Sequence, residues 1–587
     1  MWDSLSGQRK GVRMKKKSKW LRNVVVVLLI VGATVYFLRT RGGMTIEPGT
    51  TLVLELEGEY VESPQPSLLA RALGEGQRPF VSLLSLLAMA ERDQRIGTVV
   101  LVVRPLSMGW GKAEELREAI ARVREAGHPV IAFLDMASFN ATREFYIATA
   151  AEKIHVIQGG AVPVVGLAAE YLFLGGLWEK VGVSFDVGKA GKYKSAVEYY
   201  TGTEMSGPNR EMASSLLDSA NGAFVQAIVE GRNMSLEEVQ AAIDQGPVTP
   251  SELMAQKLVD GVGDLKGLLD GVPGELIYGE EYAHADPKDV GFDPVASVAL
   301  IYGTGSIVQG RASRSPGGGA VMASRTFTEV IEEVAEDPEV DAIILRMDSP
   351  GGSALASEEM WQALVDARAQ GKPIIASFSD VAASGGYYVA AGADAIVSNG
   401  GTLTGSIGVF ALRPVLAGTF DKLGITRESM TRGAFADLLL SGEPLSSGAK
   451  ARLQSIVLDI YQLFLERVAT GRDLEISRVD AVAQGRVWTG RQAFEIGLVD
   501  EIGGLHTALD RVRKSLHLEP DDDLELVIRP APKTVSEEIA DLFNSRISSL
   551  AESVVPVPRM LRPLKALLAE MPEGRPLLVP PVWVEIH

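Results

Sequence analysis

Gly371–Val409 reads GKPIIASFSDVAASGGYYVAAGADAIVSNGGTLTGSIGV, and its centre, Ala382-Ala383-Ser384-Gly385-Gly386-Tyr387-Tyr388, decides the fold. Pro373 and the β-branched run Ile374–Phe378 predict a buried strand. The small residues Ala383 to Gly386 turn the chain sharply, and Tyr387 to Gly392 predicts the first turns of a helix. A serine at such a corner presents its hydroxyl at a helix N-terminus, where the backbone N–H groups behind it lack intrahelical acceptors. Unpaired N–H groups are what a developing oxyanion needs. The same residues would equally suit a serine that merely caps a glycine-flanked helix.

Upstream, Asp341–Met347 (DAIILRM) has the composition of a buried strand, and Ser353 is a candidate N-cap for a helix running to about Gln370, closed by Gly371. Strand, helix and strand in this rhythm predict mainly parallel sheets covered by helices. Between them lies Asp348-Ser349-Pro350-Gly351-Gly352-Ser353, whose glycines let backbone approach a ligand and whose N–H groups can meet an anion at the helix start. Alone it reads as a tight turn; beside Ser384 it offers a second oxyanion donor.

The body repeats itself. Gly127-His128-Pro129-Val130-Ile131-Ala132 matches Gly371-Lys372-Pro373-Ile374-Ile375-Ala376 at an offset of 244. Tyr146-Ile147-Ala148 then falls on Tyr388-Val389-Ala390 and Gly166 on Gly408, at 242; Gly231-Arg232 falls on Gly471-Arg472, at 240. Two copies of this length predict two homologous domains, at 46–270 and 295–515, with 271–294 as linker and 516–587 as a C-terminal tail. Within the tail, Ser536–Glu552 has an amphipathic pattern.

The copies divide the chemistry. A serine nucleophile needs a base, and none of the six histidines carries a motif. A lysine can serve if burial lowers its pKa from ~10.4. Gly188–Ala196 reads GKAGKYKSA in copy one, and Lys194 falls on Ala436 in copy two. Conversely, copy one has neither the SPGG run nor the glycines around Ser384. Complementary loss after duplication points to one composite site, against the alternative that Lys189, Lys192 and Lys194 form a solvated basic cluster.

The chain has 587 residues, no cysteine and net charge −18. Disulfides, zinc–thiolate sites and thiol nucleophiles are therefore excluded. Residues 1–22 carry eight basic side chains against Asp3, a net +7 that leaves −25 for the rest. An acidic body argues against nucleic acid as partner. The apolar run Asn23–Leu38 would span about 24 Å as a helix. The positive-inside rule puts the tip 1–22 in the cytoplasm and the body on the far side of the membrane. No A-x-A-like site comes after it, so an uncleaved anchor is expected rather than a signal peptide.

The motifs DSPGGS, AASGGYY, TLTGSIGV, GKYKSAVE and GRVWTGRQAFEIGLVDEIG closely resemble the long, tandem-domain form of bacterial signal peptide peptidase A, within the serine proteases of the Clp-protease/crotonase fold. The resemblance covers about residues 46–515. It implies an α/β chain of two such domains behind one transmembrane helix, on the extracytoplasmic side of the bacterial inner membrane. It implies Ser384 as nucleophile, Lys194 as general base, Gly351, Gly352 and Gly385 as oxyanion donors, and Ser406 as the group orienting the lysine. It implies hydrophobic peptides such as remnant signal peptides as substrates, no cofactor or metal, and a homo-oligomer, expected to be a tetramer. The alternatives are a crotonase-type acyl-CoA enzyme or a non-catalytic membrane scaffold on the same fold.

Overall fold

The computed structural model describes residues 46–62, 78–311, 320–440 and 442–530, with backbone alone at 577–578 and 585–586. The expected anchor 23–38, the basic tip and the amphipathic stretch 536–552 lie outside the described residues. Among the described residues, no helix is long and apolar enough to cross a membrane.

Copy one folds around a seven-stranded sheet that is parallel throughout. Its central strands are β1 (Thr50–Val61), β2 (Ile96–Ser107), β3 (Val130–Leu134) and β4 (Lys153–Ile157). Val99, Val100, Leu101, Val102 and Val103 are all buried, as a strand covered on both faces requires. A short strand, β5 (Ala169–Glu170), and then β6 (Ser184–Ala190) come next, outside this sheet.

Copy two repeats the plan in an eight-stranded sheet. Here β7 (Pro294–Thr304) pairs with β8 (Ala342–Ser349), which pairs with β9 (Ile374–Ala383), all parallel. The β9 strand runs beyond the expected Phe378 because Val381–Ala383 pair with Leu403–Gly405 and Asp380 is caught by copy one. Ser353 caps the helix α1 (Ala354–Ala369), its hydroxyl accepting from the Ala356 N–H at 3.4 Å. The duplication reaches the helix ends. Gly207–Arg232 and Ser447–Arg472 are each 26 residues long, capped by Ser206 and Ser446 and closed by left-handed Asn233 and Asp473.

Two boundaries differ from expectation. Within 271–294, Leu276–Tyr278 forms a strand on β1, so copy one extends into the expected linker. Asp523–Arg529 pairs with β7 in the corresponding place, so copy two continues past 515. Both strands come after polar, proline- or acid-bearing stretches that hide them from a hydrophobic pattern.

The copies interlock through main chain. The β6 strand of copy one pairs antiparallel with β10 (Val409–Val415) of copy two, from Ala190↔Val409 to Ser184↔Val415. The seam is strengthened by charge. The buried Arg413 guanidinium lies 2.7 Å from Asp186.

Candidate active site

The strand β9 ends at Ala383 and the helix α2 (Gly385–Ala390) starts two residues later, so Ser384 makes the whole turn. Its φ of 54° and ψ of −114° are strained for a residue with a side chain. Hydrogen bonds hold it there. The Ser384 N–H donates to Gly405 O at 2.8 Å, and its carbonyl accepts from the Tyr388 N–H at 2.8 Å. Its hydroxyl makes no capping bond. Instead Ser384 Oγ lies 2.8 Å from Lys194 Nζ, with both side chains fully buried.

Lys194 is carried to this corner by the interlock. Beyond Ala190, Gly191 turns at φ +100°, and a Cβ there would lie 2.4 Å from the Gln484 carbonyl carbon. The Tyr193 N–H donates to Gln484 O at 2.8 Å. Gly485 completes the approach, since a Cβ on it would sit 2.6 Å from the Lys194 Cβ. Lys194 Nζ also reaches Ser406 O at 2.9 Å and Ser406 Oγ at 3.0 Å. Ser406 is itself turned to φ 51°, with its N–H on Arg486 O at 2.7 Å. Burial holds the lysine well below the ordinary value, which favours the neutral amine. A neutral amine has two N–H donors and one lone pair. Two of the three contacts of Lys194 Nζ are to Ser406, and the third is to the Ser384 hydroxyl. Lys192, in contrast, is exposed beside the Tyr193 ring.

The glycine loop meets the same corner. A Cβ on Gly385 would be 3.1 Å from the Gly352 N atom and 2.7 Å from Ser357 Oγ, and one on Gly352 would strike Ile307 O at 2.0 Å. A side chain at Gly352 would strike main chain, and one at Gly385 would crowd Gly352 and Ser357. The N–H groups of Gly385 and Gly386 open a helix and have no acceptor within it. Gly351 differs, because its N–H already donates to Ser349 Oγ at 3.2 Å.

Below this loop lies a buried charge cluster that the sequence did not disclose. Lys112 of copy one reaches Asp348 Oδ2 at 2.6 Å and Asp380 Oδ2 at 2.7 Å. Asp380 also accepts the Gly109 and Lys112 N–H groups, capping a copy-one helix from copy two. Deeper still, Arg346 pairs with Glu62 and Glu115. Burial pushes the Glu62 carboxyl up, but Arg346 and Lys112 outweigh it and hold the group at about 2. Asp348 precedes the glycine loop and Asp380 stands four residues before Ser384, so the cluster ties both approaches to copy one.

The corresponding corner of copy one is filled. The alignment of Tyr146 on Tyr388 sets Thr142, Arg143 and Glu144 against Ser384, Gly385 and Gly386. Arg143 Nη1 donates to Met108 O at 2.5 Å, and Glu144 Oε1 accepts the Leu106 N–H at 2.7 Å. Side chains thus occupy the space that glycines leave open in copy two.

Peptidase family S49 matches residues 122–271 and 366–519 of this chain. The chain is 33% identical over 494 residues to "Serine protease SPPA, chloroplastic" of Arabidopsis thaliana, covering 82% of this chain and 71% of that one. It is 26% identical to "Protease 4" of Salmonella typhi, covering 91% and 89%. With "Protease 4" of Haemophilus influenzae (strain ATCC 51907 / DSM 11121 / KW20 / Rd) it shares 30% identity, over 69% and 67%. Among solved structures, a 1510-N membrane protease specific for a stomatin homolog from Pyrococcus horikoshii aligns with 43% of this chain and all of its own, at 13% identity and a TM-score of 0.24.

Proposed function

The chain belongs to peptidase family S49 and is a serine protease, and from that premise we propose that it is a membrane-anchored endopeptidase using a Ser384–Lys194 dyad on hydrophobic peptides such as remnant signal peptides. The 2.8 Å contact between Lys194 Nζ and Ser384 Oγ, both fully buried, carries the reading. The neutral amine takes the hydroxyl proton as Oγ attacks the peptide carbonyl. Gly352 and Gly385 N–H groups receive the oxyanion, and Ser406 keeps the lysine lone pair on Oγ. Lysine then returns the proton to the leaving amine, and water hydrolyses the acyl-enzyme with Lys194 again as base. Each copy belongs to the Clp-protease/crotonase type of fold in this reading, which is supported by the parallel sheets and by the glycine loop beside the nucleophile.

The apolar run 23–38 behind a basic tip supports an anchor with the body extracytoplasmic. Homo-oligomer formation is supported by the exposed Leu423, Ile425, Met430, Phe435 and Leu439. They lie in and around the copy-two counterpart of the segment by which copy one grips its neighbour, so the same grip on a second chain would build a ring. Hydrolysis of a quenched apolar peptide, with enoyl-CoA turnover measured beside it, tests the chemistry. Peptide cleavage that Ser384→Ala abolishes is expected, and cleavage that survives in that variant would overturn the dyad.

A further inference from the structure

The filled corner of copy one faces an open cleft. The corner itself is the catalytic one rebuilt. At the offset of 244 Met108 falls on Gly352 and Gly109 on Ser353, and at 242 Arg143 falls on Gly385. Gly109 is the N-cap of the helix Trp110–Glu125 as Ser353 is of α1. Arg143 donates to Met108 O, just as Gly385 lies against Gly352. In front of these residues is a cleft of about 780 Å³, counting its mouth, lined by both copies. That size is typical of small-ligand sites.

Its apolar wall is Trp110, Leu216, Ala220, Ala223, Val381 and Leu403. Two guanidiniums stand beside that wall, Arg143 from copy one and Arg491 from copy two. The two acids of the lining already have partners. Asp380 accepts from Lys112 Nζ and from the Gly109 and Lys112 N–H groups. Glu114 accepts the Gly401 N–H at 2.5 Å and Arg491 Nη2 at 3.1 Å, and the Arg491 side chain is otherwise half exposed. Arg143 is different. Its Nη1 bonds the neutral Met108 carbonyl, its neighbour Glu144 is turned onto the Leu106 N–H, and among the described residues it makes no ion pair. The cleft is preformed. A Cβ on Gly400 would lie 2.7 Å from Glu114 Oε1 and 2.8 Å from Arg491 Nη2, and one on Gly401 3.1 Å from Trp110. These glycines let the copy-two loop close on the three side chains and fix them.

A guanidinium fork takes the two oxygens of a carboxylate, and the wall takes hydrocarbon. The ligand that has both is the last residue of an apolar peptide. A peptidase acting on apolar peptides makes that ligand at every turnover, since each cleavage leaves a new C-terminal carboxylate. The cleft is also close to the chemistry. Val381 pairs with Leu403, and the same two strands run on to Ala383 and Gly405, immediately before Ser384 and Ser406. Three residues of strand, about 10 Å, separate Val381 from Ser384. Leu216 and Leu403 pack in one cluster with Tyr193, the residue before Lys194.

We propose that this cleft is a non-catalytic binding site for the C-terminal carboxylate of an apolar peptide, held by Arg143 and Arg491 with its last side chain on the Trp110–Leu216 wall. The identity of the ligand rests on the apolar-peptide reading above; the site does not rest on the dyad.

The test uses the full chain carrying Ser384→Ala, with N-acetyl-Leu-Leu-Phe as the free acid and as its C-terminal amide, titrated calorimetrically. The acid should bind at least ~10-fold more tightly than the amide. Arg143→Gln should erase that preference, and Arg143→Lys should keep part of it. Ala220→Phe fills the cleft from a half-buried helix position and should abolish binding of the acid with Tm unchanged, so the site is tested even if Arg143→Gln does not fold. Equal binding of acid and amide, or a preference that survives Arg143→Gln or Ala220→Phe, would overturn the site. With Ser384 intact, quenched apolar peptides ending in carboxylate or in amide separate the two sources of the ligand. A lower KM for the acid, lost in Arg143→Gln at unchanged kcat, assigns the cleft to the substrate's own end. Equal KM values, with the acid probe still bound, assign it to the released product. Failure of the dyad would show as hydrolysis surviving in Ser384→Ala, with the binding arm unaffected.

Discussion

The corner at Ser384 and the corner at Thr142 are one strand-to-helix turn built twice, and they differ in the two residues just after the turn. Copy two places two glycines there, so the hydroxyl is offered beside open backbone N–H groups. Copy one places Arg143 and Glu144 there, and both side chains turn back onto the loop that corresponds to the glycine run. Burial pushes the Glu144 carboxyl up, and it accepts a main-chain N–H near the position where an oxyanion donor would stand. Copy one therefore fills with side chains the corner that glycines leave open in copy two. The reverse holds for the proposed base. Copy one keeps the strand that delivers Lys194, while its copy-two counterpart, at 426–432, is not a strand.

The sharpest way to break this comparison is at the proposed nucleophile and its copy-one counterpart. Ser384→Ala should lower peptide hydrolysis by at least ~10⁴-fold, whereas Thr142→Ala should leave the turnover of folded protein near wild type. Residual cleavage of wild-type order in Ser384→Ala, measured on a quenched apolar peptide, would move the chemistry elsewhere. At the proposed base, Lys194→Ala should cost ~10³-fold or more and Lys192→Ala little. Chains carrying Ser384→Ala co-expressed with chains carrying Lys194→Ala should give no active enzyme, because the 2.8 Å contact lies within one chain. Recovery of about a quarter of wild-type activity, the random-mixing value for sites shared between ring neighbours, would assign the dyad to adjacent protomers instead.

The pH profile sharpens the same point. Burial lowers the Lys194 pKa, so the amine loses its proton below the ~10.4 of a free lysine. Activity should rise with pH through that depressed value and stay level above it. The folded state binds fewer protons here than the unfolded state, so this group's contribution to stability also rises with pH, between the depressed and free values. An activity limb centred near ~10 would mean that Lys194 is not the base.

Smaller effects are expected at the loops. Gly385→Ala should cost ~10²–10³-fold in kcat, because its methyl would press on Gly352 and Ser357. Replacing Arg143 and Glu144 with glycine should create no second activity, since that corner has no lysine. Lys112→Met should destabilise the chain by roughly 3–5 kcal/mol, the cost of stranding buried carboxylates, read as a lower Tm. Addition of EDTA should change nothing measurable.

Much of this was legible because the chain carries its own comparison. Lys194 and Ser384 stood out when each was missing from the other copy. The hidden part depends on contacts between copies. Gly485 is one glycine among 61 until Lys194 packs against it. Lys112 sits in a charged helix that reads as solvated, yet it is buried by Asp348 and Asp380 from more than 200 residues away. The strands at Leu276–Tyr278 and Asp523–Arg529 are too short or too acidic to show periodicity, and pairing with a longer neighbour makes them strands.

The pairing of Ala190 with Val409 has a consequence for the birth of the enzyme. Synthesis delivers copy one first, so the ribosome releases the lysine long before the serine. A nascent chain, or a fragment ending before Ser384, holds an amine with nothing to activate. A fragment beginning after Lys194 holds an alcohol with nothing to activate it. On the dyad reading, the two halves work as a two-key lock whose second key is the completed seam. On that reading an unfinished or broken copy cannot cleave its surroundings.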